Sequence, residues 1–431
     1  MKISCLESQI QEITKCRDRA SLEVWQLEQI RSNLSQAKSS SRFYRKLFAN
    51  VDPSALNNFS DFAQLPMTTP DQLRDAPMDW LCCSQAEVSR IITLKTSGTT
   101  AQPKRVFFND YDQQRTVDFF DKGMHEMVSP GDKVLVLMPG AQPGSVGDLL
   151  ARGLTQAGIG SVIAGPVSDV VACYEQLRET GCNCIVGIPV QVLALAQYGA
   201  SLPAEQRAHL KSVLLSADTA PAALIARTAK LLDCPVFNHF GMTEMGFGVA
   251  VECGARAGCH IREADILVEV VDPETGHPLP LGEIGEFVFT TLRQQAMPFF
   301  RYRTGDLGYL AADPCPCGSY IRRMIPLGGR RTNRLTLPGG DTLTLWDLDE
   351  ILFSLDGVVD YTVKLEGASL HLTLFGIVPP DPEAIRNELY SRGGQALLGD
   401  CPLTIESTFV KGFRNGGMQK RSVQAPGKES V

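Results

Sequence analysis

Apolar runs and helical stretches alternate through the middle of the chain. Residues 134–139 (VLVLMP), 184–189 (CIVGIP), 212–217 (SVLLSA) and 236–240 (VFNHF) are short, largely apolar runs. Each has the length of a buried strand rather than of a helix. Between them, Val170, Val171, Tyr174 and Leu177 share one helical face, and Gly181 is placed to stop that helix. Residues 220–233 (APAALIARTAKLLD) form the next helical stretch. Strand–helix–strand repetition over residues 86–330 predicts an α/β fold with a mostly parallel sheet, whose ligands sit at the carboxyl ends of the strands.

The texture changes near residue 265. ILVEVVD, a turn-rich PETGHPLPLGEIG and EFVFTTL predict an antiparallel, β-rich subdomain over 265–310. Past residue 329 the segments shorten to a helix (DLDEILFSL), a strand pair (VDYTVKLEG, SLHLTLFG) and a helix at 382–392. The expected organisation is a large N-terminal domain, 1–328, and a small mobile α+β C-terminal domain, 329–431. The first 75 residues read as helices and turns.

Composition narrows the function classes. Among 431 residues, 44% are hydrophobic and 21% charged, the balance of a packed globular chain. A net charge of −7 argues against nucleic-acid binding. The polar N-terminus and the lack of a long apolar stretch predict no membrane span and a cytoplasmic location. Thirteen cysteines, an odd count, favour reduced thiols, with Cys173, Cys182, Cys184 and Cys234 as small core residues. A homodimer is the default expectation for an oligomer.

Candidate chemistry begins at residues 96–104. Thr96, Ser97, Thr99 and Thr100 offer hydroxyls, Gly98 admits close backbone approach and Lys104 adds positive charge, a composition suited to phosphate. It lacks Walker spacing, and an ordinary Ser/Thr/Gly turn is the plain alternative. Asn238-His239-Phe240-Gly241-Met242-Thr243-Glu244 follows a strand and offers an aromatic, a hydroxyl and a carboxylate for Mg²⁺. Arg301–Asp306 ends in a carboxylate able to accept two ribose hydroxyls, and Arg330 sits at the domain linker.

In this order and spacing the segments resemble the adenylate-forming superfamily, and specifically the phenylacetate–CoA ligase family of AMP-dependent acid–CoA ligases. Phe43-Tyr44-Arg45-Lys46, LPMTTPDQLRD, FGMTE, VDPETGHPLPLGEIGE, FRYRTGDL and CPCG carry the narrower match. The resemblance implies activation of an aryl or other small carboxylic acid by ATP, followed by thioester formation with coenzyme A. Thr96, Ser97, Gly98, Thr99, Thr100 and Lys104 would hold phosphates, Thr243 the α-phosphate and Glu244 Mg²⁺. Ser216, Ala217 and Asp218 would line the adenine beside Asn238, His239, Phe240, Gly241 and Met242. Asp306 would hold the ribose, Arg330 the ribose or phosphate, and residues near 140–144, 187–189 and 240–247 the acyl group.

Cys253, His260, Cys315 and Cys317 form a second constellation, a Cys-x6-His and a Cys-x-Cys pair. Three thiolates and an imidazole suit tetrahedral Zn²⁺, with Cys259 as an alternative ligand. Related ligases with this pattern imply a structural role.

The chain departs from the family at its tail. Met418 stands where relatives carry the adenylation lysine of a Gly-Lys-x-x-Arg run, and Lys420 is the substitute in a shifted register. That substitution keeps open an acceptor other than coenzyme A, or a catalytically impaired nucleotide- or acyl-binding protein.

Overall fold

The computed structural model describes residues 4–94, 103–330 and 334–410. The chain divides into two compact units, one formed by Met1–Glu126 with His239–Pro326 and the other by Met127–Asn238 with Leu327–Val431.

The first unit opens with helices Cys5–Thr14, Arg19–Ser40 and Arg42–Leu47. Asp18 caps the second through Ser21 N at 2.8 Å, and Ser41 ends that helix and caps the third. The apolar faces of the second and third cover a sheet in the spatial order Ile266–Val271, Gly285–Thr291, Tyr302–Leu310, Arg323–Arg330, Cys259–Ile261 and Ala250–Glu252. The expected β-rich region is there, with Ile266 opposite Thr291 and Gly285 opposite Gly308 in antiparallel register.

The stretches Phe43–Lys46 and LPMTTPDQLRD serve this packing. The buried Tyr44 hydroxyl donates to Pro298 O at 2.7 Å, and Phe43 stacks on Trp80 with centroids 4.0 Å apart. Thr68 exchanges backbone hydrogen bonds with Arg301 and Arg303, which fixes the start of the strand that carries the Arg301–Asp306 segment.

The second unit holds the expected parallel sheet, in the order Gly160–Ile163, Lys133–Val136, Cys184–Gly187, Ser212–Leu215 and Val236–Phe240. Its central strands are buried along their whole length, as strands covered by helices on both faces must be. Cys173, Cys182, Cys184 and Cys234 are buried as expected. The same unit contains helix Leu345–Leu352 and a three-stranded sheet. Strands Asp360–Glu366 and Ser369–Gly376 pair as expected, and an unanticipated strand, Leu403–Phe409, adds in parallel. Helix Ala222–Leu232, which begins after Pro221 without a side-chain cap of its own, is capped by Glu350 through Ala222 N at 2.8 Å and Ala223 N at 2.9 Å.

Candidate functional site

Lys104 begins strand Lys104–Phe108, which pairs antiparallel with Arg90–Leu94 so that Leu94 lies opposite Lys104. The connection between the two strands carries Thr96, Ser97, Gly98, Thr99 and Thr100, which lie outside the described residues. Lys104 therefore marks the point where that connection re-enters the fold.

From there Lys104 Nζ makes an ion pair with Glu244 Oε1, and the Tyr302 hydroxyl donates to the same oxygen at 3.0 Å. Glu244 is 2% exposed and Tyr302 is fully buried, so the carboxylate is held away from bulk water by a cation and a phenol. A buried carboxylate requires such partners to remain charged. All three come from segments that the sequence singled out. Tyr302 lies inside a quoted motif, but nothing in its local pattern assigns it a role.

The Phe240–Glu244 segment leaves its strand through a tight turn. At Gly241 a Cβ would lie 2.0 Å from Phe247 O, so only glycine lets the backbone pass. Thr243–Met245 is a short 3₁₀ turn closed by Gly246 at φ 65°. Arg262 donates to Met245 O from behind, and Thr116 Oγ1 donates to Gly246 O at 2.8 Å. Neither supporting residue has a local sequence signal, because each meets the turn only through the tertiary fold. Phe240 packs edge-on to Phe287 and Phe289, each centroid 6.0 Å away. His239 lies beside Phe119 and Phe120, and burial together with Arg262 lowers its pKa to about 4.

Within Arg301–Asp306 the residues divide their work. Arg301 is buried, pairing with Glu269 and donating to Leu65 O at 2.7 Å. Arg303 pairs with Glu286, whose other oxygen accepts from Gly305 N at 2.9 Å. Gly305, at φ 75°, turns the chain so that partly exposed Asp306 follows it. Both arginines thus hold the strand that carries Asp306.

The second unit places its candidates at the carboxyl ends of parallel strands. Ser216 follows Ser212–Leu215 and donates through its backbone N to Gly187 O at 3.0 Å. Ala217 has φ 73°, a left-handed conformation that costs a non-glycine residue on the order of 1 kcal/mol. Asn238 is paired with Leu215 in the neighbouring strand. Arg330 ends strand Arg323–Arg330, while Met418 and Lys420 lie outside the described residues.

The cysteine–histidine set converges within the first unit. One ligand atom from each of Cys253, His260, Cys315 and Cys317 lies within 4.8 Å of every other. Cys253 Sγ is 3.7 Å from Cys315 Sγ, and Cys317 Sγ is 3.4 Å from His260 Nε2. Bonds of about 2.3 Å to sulfur and 2.0 Å to nitrogen give a tetrahedron with edges of roughly 3.8 and 3.5 Å, close to both distances. Burial pushes the Cys253 and Cys317 thiols up and lowers His260 to about 4, so the imidazole is neutral and able to ligate at pH 7. Cys259, next to His260 in its strand, packs instead into the apolar core.

Comparison with known proteins gives the same direction. The AMP-binding enzyme family matches residues 88–295. The chain is 30% identical over 371 residues to the phenylacetate-coenzyme A ligase of Thermus thermophilus, covering 81% of this chain and 80% of that one. It is 29% identical over 330 residues to the Escherichia coli phenylacetate-coenzyme A ligase, covering 74% and 73%. Its fold is similar to that of 2-hydroxyisobutyryl-CoA ligase in the postadenylation state with 2-HIB-AMP. The TM-score is 0.77 at 20% identity, over 91% of this chain and 87% of that one. Among the described residues no helix is long and apolar enough to cross a membrane.

Proposed function

The chain belongs to the phenylacetate–CoA ligase family of AMP-binding enzymes, and from that premise we propose how its residues divide the work of an AMP-forming acid–CoA ligase. The substrate class is an aryl or other small carboxylic acid. In the first half-reaction a carboxylate oxygen attacks the α-phosphorus of ATP and the bond to pyrophosphate breaks, giving acyl-AMP. In the second, the coenzyme A sulfur attacks the acyl carbon, its proton is lost, and AMP leaves with the bridging oxygen. Little covalent help is needed from the protein; charge neutralisation and alignment carry the rate.

One observation carries the assignment of roles: Lys104, at the end of the phosphate-type loop, is paired with Glu244 of the Thr243–Met245 turn. In this account Lys104 and the hydroxyls of residues 96–100 take the terminal phosphates, and Thr243 takes the α-phosphate. Glu244 would hold Mg²⁺, which supplies further neutralisation of phosphate charge. A buried carboxylate already beside a cation at the loop fits that hard ion. By the family resemblance, Asp306 is assigned to the ribose hydroxyls, and Ser216–Asp218 and Asn238–Met242 to the base. Lys420 is assigned to the acid and α-phosphate in place of Met418.

A structural Zn²⁺ at Cys253, His260, Cys315 and Cys317 completes the assignment. It is supported by the convergence of three thiols and an imidazole at near-tetrahedral spacing. It would tie strand Cys259–Ile261 to the Cys315–Cys317 turn.

Incubation with ATP, Mg²⁺, coenzyme A and a panel of aryl and short aliphatic acids tests the whole reaction. Mass spectrometry should find one acyl-CoA formed in step with AMP. Formation of AMP with no thioester for any acid would redirect the assignment to a different acceptor.

A further inference from the structure

Two loops bring the cysteines of the metal set together, and one buried side chain spans them. Cys253 opens the loop that leads to His260, and Cys315 and Cys317 sit in the turn that follows strand Tyr302–Leu310. Each is shaped by its own backbone, with Arg256 N donating to Cys253 O at 2.9 Å and Gly318 N to Cys315 O at 2.8 Å. Such turns fix a loop internally but leave the separation between loops open. Yet Cys253 Sγ lies 3.7 Å from Cys315 Sγ, so that separation has to be held from outside the turns.

Arg323, the first residue of strand Arg323–Arg330, bridges the gap. It is 7% exposed and has no carboxylate within ion-pair distance among the described residues. Its guanidinium is directed to carbonyls instead. Nη1 donates to Ala257 O in the Cys253 loop, and Nη2 donates to Asp313 O at 2.6 Å, two residues before Cys315. The backbone adds a third connection, because Arg323 lies opposite His260 in the antiparallel register of the neighbouring strand. One residue therefore meets all three segments that supply ligands. A planar guanidinium holds two acceptors in fixed directions at once; a rotating ammonium does not.

We propose that Arg323 is the positioning residue of this metal site, holding the two cysteine loops at the separation that a tetrahedral ion requires. This role rests on the reading of Cys253, His260, Cys315 and Cys317 as a Zn²⁺ site. Arg323 contributes no ligand atom. It orders the loops during folding, so that binding of the ion does not bear that cost. Support of this kind behind metal ligands is worth about 10–100-fold in affinity.

Titration of the purified, zinc-loaded full chain with a chromophoric chelator tests the role. The natural protein, Arg323→Met and Arg323→Lys are compared at one temperature, well below the Tm of each. Both variants should hold Zn²⁺ about 10–100-fold more weakly, Arg323→Lys included because it keeps the charge but not the fork. An arginine that served only the fold would lower Tm without moving the zinc affinity of the folded chain. Affinity within twofold of the natural protein in either variant therefore overturns the role. A natural chain that carries no zinc rejects the metal site and this role together, whereas zinc held equally well by the variants rejects only the part played by Arg323.

Discussion

Lys104 Nζ and Glu244 Oε1, 140 residues apart in the chain, meet as a buried ion pair at the junction of the phosphate-type loop and the Thr243–Met245 turn. In the structure each neutralises the other; in the proposed site they would part to take phosphate and metal. Lys104→Ala and Glu244→Ala should each raise the KM for Mg·ATP or lower its turnover by about tenfold or more, since each removes a charged contact. Lys104→Ala also leaves Glu244, the more deeply buried partner, without its cation, so it should cost the larger share of stability, on the order of 3 kcal/mol. Urea denaturation beside steady-state kinetics separates the two effects.

Tyr302 acts on the same carboxylate. Its hydroxyl donates to Glu244 Oε1 at 3.0 Å, and Tyr302→Phe removes only that oxygen. The expected loss is about 1.5 kcal/mol, roughly a tenfold rise in the Mg²⁺ concentration for half-maximal rate, because the bond is to a charged acceptor. An unchanged Mg²⁺ dependence in the variant would remove Tyr302 from the positioning of Glu244.

Zinc should copurify at one equivalent per chain when no metal is added. Chelation should lower Tm by several degrees, because a bound metal stabilises the folded state by mass action. Clearly substoichiometric zinc by elemental analysis rejects the site.

Acid should destabilise the fold through His239. Its pKa falls from 6.5 to about 4 on folding, mainly through desolvation and then through Arg262. The unfolded chain therefore binds a proton that the folded chain refuses between those values. The stability contributed is present above about pH 6.5 and is lost as pH falls toward 4, up to roughly 3 kcal/mol. His239→Gln should flatten the pH dependence of the urea midpoint over that window.

Lys420 tests the altered tail. With Met418 in the lysine position of the family run, Lys420→Ala should reduce adenylation about tenfold or more. Retention of full rate in Lys420→Ala, with acceleration in Met418→Lys, would show that the shifted register is wrong.

Much of the fold was legible because its elements carry their own signals. The runs at 184–187 and 212–215 are apolar at every position but Ser212, and the structure buries each of them on both faces of a parallel sheet. The turn-rich stretch between residues 272 and 285 announced its antiparallel hairpin. Strand Leu403–Phe409 was not anticipated, although Leu403 and Ile405, buried beside exposed Thr404 and Glu406, carry the alternation of a strand. The Cys-x6-His and CPCG spacings marked the cysteine–histidine cluster with Cys253 in it, and the strand supplies the reason Cys259 stands outside, since it turns Cys259 to the core. Tyr302 and Arg262 were not legible as site residues. Both reach the Thr243–Met245 turn from distant strands and loops, and no periodicity or local motif encodes such a meeting.

The central claim is that Lys104 and Glu244 belong to a site where a carboxylic acid is activated by ATP. Acid-dependent exchange of labelled pyrophosphate into ATP isolates that half-reaction from any acceptor. The account predicts exchange with one or more aryl or small aliphatic acids, absent without acid and reduced about tenfold or more in Lys104→Ala. Absence of exchange with every acid tested, in protein that binds ATP tightly, would contradict it.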